Sequence, residues 1–270
     1  MQTLSGLIES LDARETIAQI EVAASDDATA LVFRHLEPLS QDDHDRMTRF
    51  AKDHGFFVYL QSGGPDTIIP LWPQKPELVY RLPEYELEFQ FGPSDFTQVN
   101  AGINQKMVSQ AIRLLDIQPE DHVLDLFCGL GNFALAIARR ASAVTAIEGD
   151  EGIVEKARTN ARRNGLKNTS FHAQNLFEGL EHQAWARHQY DRLLLDPPRS
   201  GAQAVAENMH IFDPKRIVYI SCHPATLARD TEILVHQKGY RLTHAGVMDM
   251  FPHTTHVESI AVFDCANRDK

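Results

Sequence analysis

The sequence predicts an α/β protein, a doubly wound and mainly parallel sheet of seven strands preceded by a small α+β domain. Three observations carry that prediction. From about residue 101 onward, compact apolar runs alternate with amphipathic helical stretches, which is the pattern of βαβ units. Before about residue 95 the runs are β-rich and surround one helical stretch. The composition, 43% hydrophobic, 23% charged and 8% aromatic over 270 residues, is that of a globular chain that buries a core without disulfides or a structural metal.

The first expected domain is residues 1–95. Its β-rich runs are Ile17 to Ala23, Ala30 to Leu36, Phe56 to Gln61, Thr67 to Leu71 and Tyr85 to Phe91. Ser40, with acidic residues at 42, 43 and 45, marks the start of the helix, and Gly55 marks its end. Five prolines between Pro65 and Pro83 punctuate the second half, and nothing in this part points to catalysis.

The second expected domain is residues 96–270. Its strands are read at His122 to Phe127, Ala143 to Glu148, Thr169 to Ala173, Asp191 to Leu195, Arg216 to Ser221, Arg241 to Met248 and Glu258 to Phe263, with helices in five of the connections. In such a sheet ligands bind beyond the carboxyl ends of the strands, so the residues just after each strand carry the functional reading.

After the first of these strands come Asp125 and a glycine loop in which Gly129, Gly131 and Ala134 fit G-x-G-x-x-A. Alone, this loop suits a dinucleotide enzyme equally well. The second strand ends at Glu148, where a carboxylate can accept both hydroxyls of a ribose, so a nucleoside-containing cofactor is expected. Asn175 follows the third strand and can offer a donor and an acceptor to an adenine edge, or simply cap a helix. The fourth strand ends in Asp196-Pro197-Pro198-Arg199, where two prolines fix an extended loop that holds the Asp beside the pocket.

The fifth strand ends in Ser221-Cys222-His223-Pro224 ahead of a helix. The positive end of that helix favours a thiolate, which makes Cys222 a candidate nucleophile. Cys128 and Cys265 read instead as small buried hydrophobes. Glu258 opens the last strand behind His253 and His256, whose spacing matches no common metal-ligand pattern, so no metal is expected.

Three cysteines fit neither a disulfide framework nor a CxxC site, and a reducing cytoplasm suits them. The first thirty residues are acidic without a signal-peptide pattern, and no apolar run is long enough to span a bilayer, so a soluble protein is expected. A net charge of −11 argues mildly against nucleic-acid binding. Two basic clusters stand against it, Arg158/Arg162/Arg163/Lys167 and Arg187/Arg192/Arg199, although a solvated helix face or loop accounts for each.

Taken together and in order, FTQVNAGINQKM (96–107), DLFCGLGNF (125–133), DPPR (196–199), SCHPATLARD (221–230) and DMFPHTTHVES (249–259) resemble the S-adenosylmethionine-dependent RNA (uracil-5)-methyltransferases. The resemblance is strongest to the branch that modifies 23S rRNA. It implies a Rossmann-like class I methyltransferase domain, with residues 1–95 similar to the central domain that precedes it in the family. It also implies S-adenosylmethionine as cofactor, held by Gln98, Phe127, Asn132, Glu148, Asn175 and Asp196, with Cys222 as nucleophile and Glu258 as proton-abstracting base. The expected partner is RNA, most specifically 23S rRNA, and no motif calls for a membrane or an obligate protein partner.

Members of this branch usually begin with an RNA-binding OB-like domain and carry four cysteines for an iron-sulfur cluster. Neither is present in these 270 residues, as for part of a longer protein or a reduced natural form. His223 stands where the family usually has Asn. Other readings remain open at this point: a tRNA (uracil-5)-methyltransferase, a nicotinamide-dependent oxidoreductase, or a noncatalytic scaffold that binds RNA or the cofactor.

Overall fold

The computed structural model describes residues 2–266 and divides into two compact units, one comprising Met1–Arg81 with Gln90–Thr97 and the other Leu82–Phe89 with Gln98–Lys270. The final residues, 267–270, of the expected second domain lie outside the described residues.

In the first unit a four-stranded sheet runs in the order β1-β2-β3-β4, with β1 at Ile17–Ala24, β2 at Thr29–His35, β3 at Phe56–Gln61 and β4 at Ile68–Trp72. Helix α2 (Gln41–His54) forms where Ser40 and Gly55 predict it. The Ser40 hydroxyl accepts from the Asp43 amide at 3.1 Å, and Gly55 closes the helix at φ 70°. Its apolar side, Met47, Phe50 and Ala51, packs on Leu31, Phe33, Val58 and Leu60 of the sheet.

A further helix, α1 (Gln2–Ser10), adds Leu7 to this core, and Leu11 just past its end joins it. The sequence predicts one helix in this part and gives no sign of α1, because Gly6 interrupts it and no acidic residue marks its first turn. Strand β5 (Leu78–Leu82), hidden between flanking prolines, is likewise not expected, and it forms a two-stranded sheet with β6 (Leu87–Phe91). The expected strand from Tyr85 begins at Leu87, since Pro83–Tyr85 form a 3-10 turn that ends on Glu86 at φ 52°.

The second unit opens with α3 (Ala101–Leu115), whose N-cap Asn100 accepts from the Ile103 amide at 3.1 Å. Its seven strands are β7 (His122–Leu126), β8 (Ala143–Glu148), β9 (Thr169–Ala173), β10 (Arg192–Leu195), β11 (Arg216–Ser221), β12 (Tyr240–Met248) and β13 (Glu258–Cys265). They are ordered β12-β13-β11-β10-β7-β8-β9. All seven expected strands are present; β8, β9 and β11 have the expected bounds, and the other four differ by a residue or two at one end. Strands β7 to β11 are mutually parallel, and β13 runs antiparallel between β11 and β12.

Helices α4 (Ala134–Ala138), α5 (Glu151–Arg163), α6 (Gln203–Glu207) and α7 (Pro224–His236) fill four connections. The β9–β10 connection holds only two 3-10 turns, at Leu180–His182 and Trp185–Arg187. The core is continuous across the sheet, with Leu124, Leu126, Leu193, Leu195, Ile217 and Tyr219 all buried.

Chain order reverses between β7 and β10, which lie side by side although β8 and β9 come between them in sequence. That reversal opens a crevice at the carboxyl ends of the two strands.

Candidate active site

Strands β7 and β10 end level, with Leu126 paired to Leu195, and β11 continues past Tyr219, the partner of Leu195, to Ser221. Beyond β7, Phe127 turns out of the strand at φ 66°, a left-handed conformation uncommon outside glycine. The amides of Phe127 and Cys128 both donate to the Ile147 carbonyl, at 2.9 and 3.0 Å. This turn brings the Gly129 amide to Glu148 Oε2 at 3.0 Å, while the Gly149 amide donates to Oε1 at 2.6 Å. Glu148 is thereby fixed at the end of β8 with lone pairs left on both oxygens. Gly131 takes φ 94°, and a Cβ there would collide with Leu135, a fully buried residue of α4.

Asp125, one residue before the end of β7, is fully buried, and neither of its carboxylate oxygens makes a hydrogen bond of good geometry. Burial first, then the neighbouring Asp196, holds it well above the usual carboxylate range. The Ala134 amide offsets part of that and Glu148 adds to it. Asp196, just past β10, is pushed up to about 7 by burial and then by the charge of Glu258. Neighbouring carboxyls with unspent acceptors suit a ligand that carries positive charge.

The register of β11 on β13 brings the two expected catalytic residues to the same end of the ladder. Ser221 pairs with Ser259 in an antiparallel ladder, so the next positions outward are Cys222 and Glu258. Glu258 is buried, and burial raises its carboxyl above the ordinary range.

Cys222 departs from the sequence expectation. The start of α7 was expected to favour the thiolate, whereas burial, Glu258 and Asp196 push the thiol up, with the Arg199 guanidinium pulling the other way. Two carboxylates and partial burial outweigh one helix terminus. Cys128 is buried as expected. Cys265 is only half-buried, packed against the core at the end of β13.

Asn132 exchanges side-chain hydrogen bonds with Asn104 of α3, at 2.9 and 3.1 Å, which ties that helix to the glycine loop. Asn104 is buried and does not figure among the expected site residues. Its only signal in the sequence is an amide on the apolar side of a helix. Gln98 lies in the segment before α3, and no hydrogen bond joins its side chain to the strand-end residues among the described residues. Asn175 accepts from the Phe177 amide at 3.0 Å and donates to Glu178 at 2.9 Å; it closes a turn and caps no helix, and it keeps one N–H and one lone pair for a ligand. Phe177, half exposed, stands against Phe127 with ring centroids 5.9 Å apart.

The basic clusters do not form patches. Arg158 and Arg162 pair with Glu155, and Arg163 with Glu88. Arg192 is buried at the start of β10, where it donates to the Leu115 and Asp116 carbonyls, so it shares no surface with Arg199 beyond the strand's other end. A cavity of about 820 Å³ along α3, lined in part by Glu84, Lys106, Arg113 and Arg140, includes none of the expected site residues.

Among solved structures, a tRNA (uracil-54, C5)-methyltransferase of Pyrococcus abyssi in complex with S-adenosyl-L-homocysteine superposes with a TM-score of 0.73 at 25% identity, covering 90% of this chain and 58% of that one. Trm5b of the same organism shares the fold at a TM-score of 0.57 and 15% identity, over 93% of this chain and 76% of its own. The second unit thus has the Rossmann-like class I methyltransferase fold.

A 23S rRNA (uracil(1939)-C(5))-methyltransferase RlmD of Xanthomonas campestris pv. campestris (strain 8004) is 53% identical over 97% of this chain and 59% of its own length. The protein of that name from Methylococcus capsulatus is 52% identical over 98% and 60%. The chain therefore spans about three fifths of the length of the curated relatives it matches. The family model for tRNA (uracil-5-)-methyltransferases matches residues 77–264, a stretch that takes in the glycine loop, Asp196, Cys222 and Glu258, and with it the chain belongs to that family.

Proposed function

We propose that this chain methylates C5 of a uridine in 23S rRNA, with S-adenosylmethionine as methyl donor and Cys222 as covalent nucleophile, giving 5-methyluridine. The observation that carries the proposal is that Cys222 and Glu258 lie next to the Ser221–Ser259 rung that ends the β11–β13 ladder, with Asp196 at the neighbouring strand end. On this reading residues 96–270 are the catalytic domain and 1–95 the smaller domain before it.

The residues present fit the cofactor. Glu148 has both oxygens pinned by backbone amides and lone pairs free for a ribose, and the glycine loop leaves its backbone uncovered. Phe127 and Phe177 offer ring faces beside Asn175. The buried Asp125, whose carboxylate oxygens lack a hydrogen bond of good geometry, and the half-buried Asp196 beside it complement a sulfonium charge. When bound, the cofactor supplies an electrophilic methyl group.

C5 of uracil is too weak a nucleophile to take that methyl unaided. The Cys222 thiolate bonds to C6, and the electron pair of the C5–C6 double bond moves onto C5 and O4 as an enolate. With the donor bound, C5 would take the methyl carbon as the methyl–sulfonium bond breaks and its electron pair stays on sulfur, leaving a neutral thioether. Glu258 removes the C5 proton, the double bond re-forms, and the electron pair of the S–C6 bond returns to Cys222. Burial makes Glu258 a stronger base than an exposed carboxylate, which suits this step. The target uridine must leave its stack to reach the strand ends, so an unpaired or flipped base is the substrate. Acting on rRNA, the protein works in the cytoplasm.

The test offers the protein methyl-labelled S-adenosylmethionine with either a 23S rRNA fragment or tRNA transcripts, then digests the RNA to nucleosides. Labelled 5-methyluridine from the rRNA fragment alone supports the proposal. Label in tRNA alone replaces the substrate, and label in neither rejects the activity of this chain.

A further inference from the structure

The loop that follows β10, residues 196–202, is fastened to α7 by bonds that neither cofactor binding nor proton removal requires. Thr226 Oγ1 donates to the Arg199 carbonyl at 3.3 Å, and Arg229 Nη2 donates to the Ser200 carbonyl at 3.0 Å. The Ala202 amide donates to Asp230 Oδ2 at 2.7 Å. The same oxygen accepts from the Tyr219 hydroxyl at 2.7 Å, and that hydroxyl lies 3.1 Å from the Ala202 amide as acceptor. Oδ1 accepts from Arg229 Nε at 2.8 Å.

Asp230 is wholly buried. Tyr219 stands on β11 three residues before Cys222, and Asp230 stands on α7 eight residues after it. One carboxylate therefore joins the strand before the nucleophile, the helix after it, and the loop that carries Asp196 and Arg199. Gly201 makes the close approach possible. Its φ is +77°, and a Cβ there would lie 2.7 Å from both Arg229 Nη2 and Asp230 Oδ2 and 2.9 Å from Thr226 Cβ.

A buried carboxylate is costly unless fully paired, and a solely structural need is met as well by apolar packing. The geometry points to Asp230 as a positioning residue for the reaction: by clamping loop 196–202 to α7 it sets the place of Arg199 relative to the Cys222 sulfur. This inference rests on Cys222 being the nucleophile.

The charged groups that bear on the sulfur come from two elements beside its own. Glu258 on β13 and Asp196 on the loop disfavour the thiolate, and Arg199 on the loop favours it, while His223 is the next residue along the chain. Asp196 is held by β10 and by its amide's bond to the Leu126 carbonyl at 3.4 Å, independently of the clamp. Arg199 lies beyond the two prolines and is held from α7. Opening the clamp thus removes the cation and keeps both anions, and the thiolate becomes harder to form.

The experiment measures alkylation of Cys222 by iodoacetamide as a function of pH, read on its own peptide by mass spectrometry so that Cys128 and Cys265 do not contribute. Neither RNA nor cofactor is needed. Gly201→Ala, Tyr219→Phe and Asp230→Asn are compared with Leu234→Ala, which empties the core under the same helix. The clamp variants should alkylate about threefold or more slowly near neutral pH, with the profile displaced to higher pH, because the rate follows the thiolate fraction. Their affinity for S-adenosylmethionine should stay within about twofold of wild type, since Asp196 does not move.

Leu234→Ala should lower the melting temperature and leave the profile in place. Should Asp230→Asn fail to fold, Tyr219→Phe, which loses one hydroxyl and keeps its ring, carries the test. Clamp variants whose Cys222 profiles superimpose on wild type overturn the inference. A wild-type protein that forms no covalent adduct with 5-fluorouridine RNA overturns the nucleophile assignment instead, and the two failures are read in separate assays.

Discussion

Substituting the second glycine of the cofactor loop tests the local geometry most sharply, because its two glycines make different demands. Gly129 has φ +53° with nothing within 4 Å of the place a Cβ would take, whereas Gly131 has φ +94° and a methyl there meets the fully buried Leu135. Gly129→Ala therefore carries only the cost of a left-handed L-residue, about 1–2 kcal/mol. Gly131→Ala carries a similar backbone cost plus the strain of displacing a packed leucine, about 1–3 kcal/mol more, for roughly 2–5 kcal/mol altogether. In a protein stable by about 5–15 kcal/mol the second variant still folds, with a clearly lower urea midpoint. The assay is urea unfolding by circular dichroism on both variants, with S-adenosylmethionine affinity measured by calorimetry under folding conditions. Gly131→Ala should be the less stable and the weaker binder. Equal stability of the two variants, or a Gly131→Ala midpoint matching wild type, refutes the reasoning.

Two further outcomes follow from the same geometry. Glu258→Gln should let a methylated covalent RNA adduct accumulate, since addition and methyl transfer proceed while proton removal does not; denaturing electrophoresis reads it, and normal turnover without adduct contradicts the base assignment. Asp196 has its folded-state pKa raised to about 7, so the folded form keeps a proton that the unfolded chain, near 3.8, has released. Its contribution to stability is then fully present below about pH 4 and is lost as pH rises through 7. The melting temperature of cofactor-free Asp196→Asn should rise relative to wild type between pH 4.5 and 7.5, and a difference that does not change with pH speaks against the raised carboxyl.

Much of the site could be read from sequence because a doubly wound sheet brings every parallel strand end to one edge. Glu148 and Asp196 follow from strand placement, whereas Phe127 came only with the family resemblance and Asn175 stayed open to a capping role until then. The meeting of Cys222 with Glu258 could not be read that way, because it depends on β13 inserting antiparallel between β11 and β12, a pairing that no local pattern announces. The family resemblance supplied their roles before the register supplied their proximity. The clamp on Asp230 was out of reach for the same reason, since Tyr219, Ala202 and Asp230 come from a strand, a loop and a helix. The thiol expectation failed because a helix terminus is visible in sequence and the two carboxylates that outweigh it are not. Helix α1 went unseen for want of capping signals, although its leucines fill the core of the first unit.

The central claim is that Cys222 adds to C6 of a uridine in RNA. Its most direct test incubates the protein with S-adenosylmethionine and a 23S rRNA fragment containing 5-fluorouridine, then applies denaturing electrophoresis and peptide mass spectrometry. Fluorine at C5 cannot leave as a proton, so the enzyme stays bonded after methyl transfer. The account predicts a methylated adduct on the Cys222 peptide that is lost without cofactor and in Cys222→Ala. Wild-type protein that binds both cofactor and RNA and yet forms no adduct, or forms it on another residue, contradicts it.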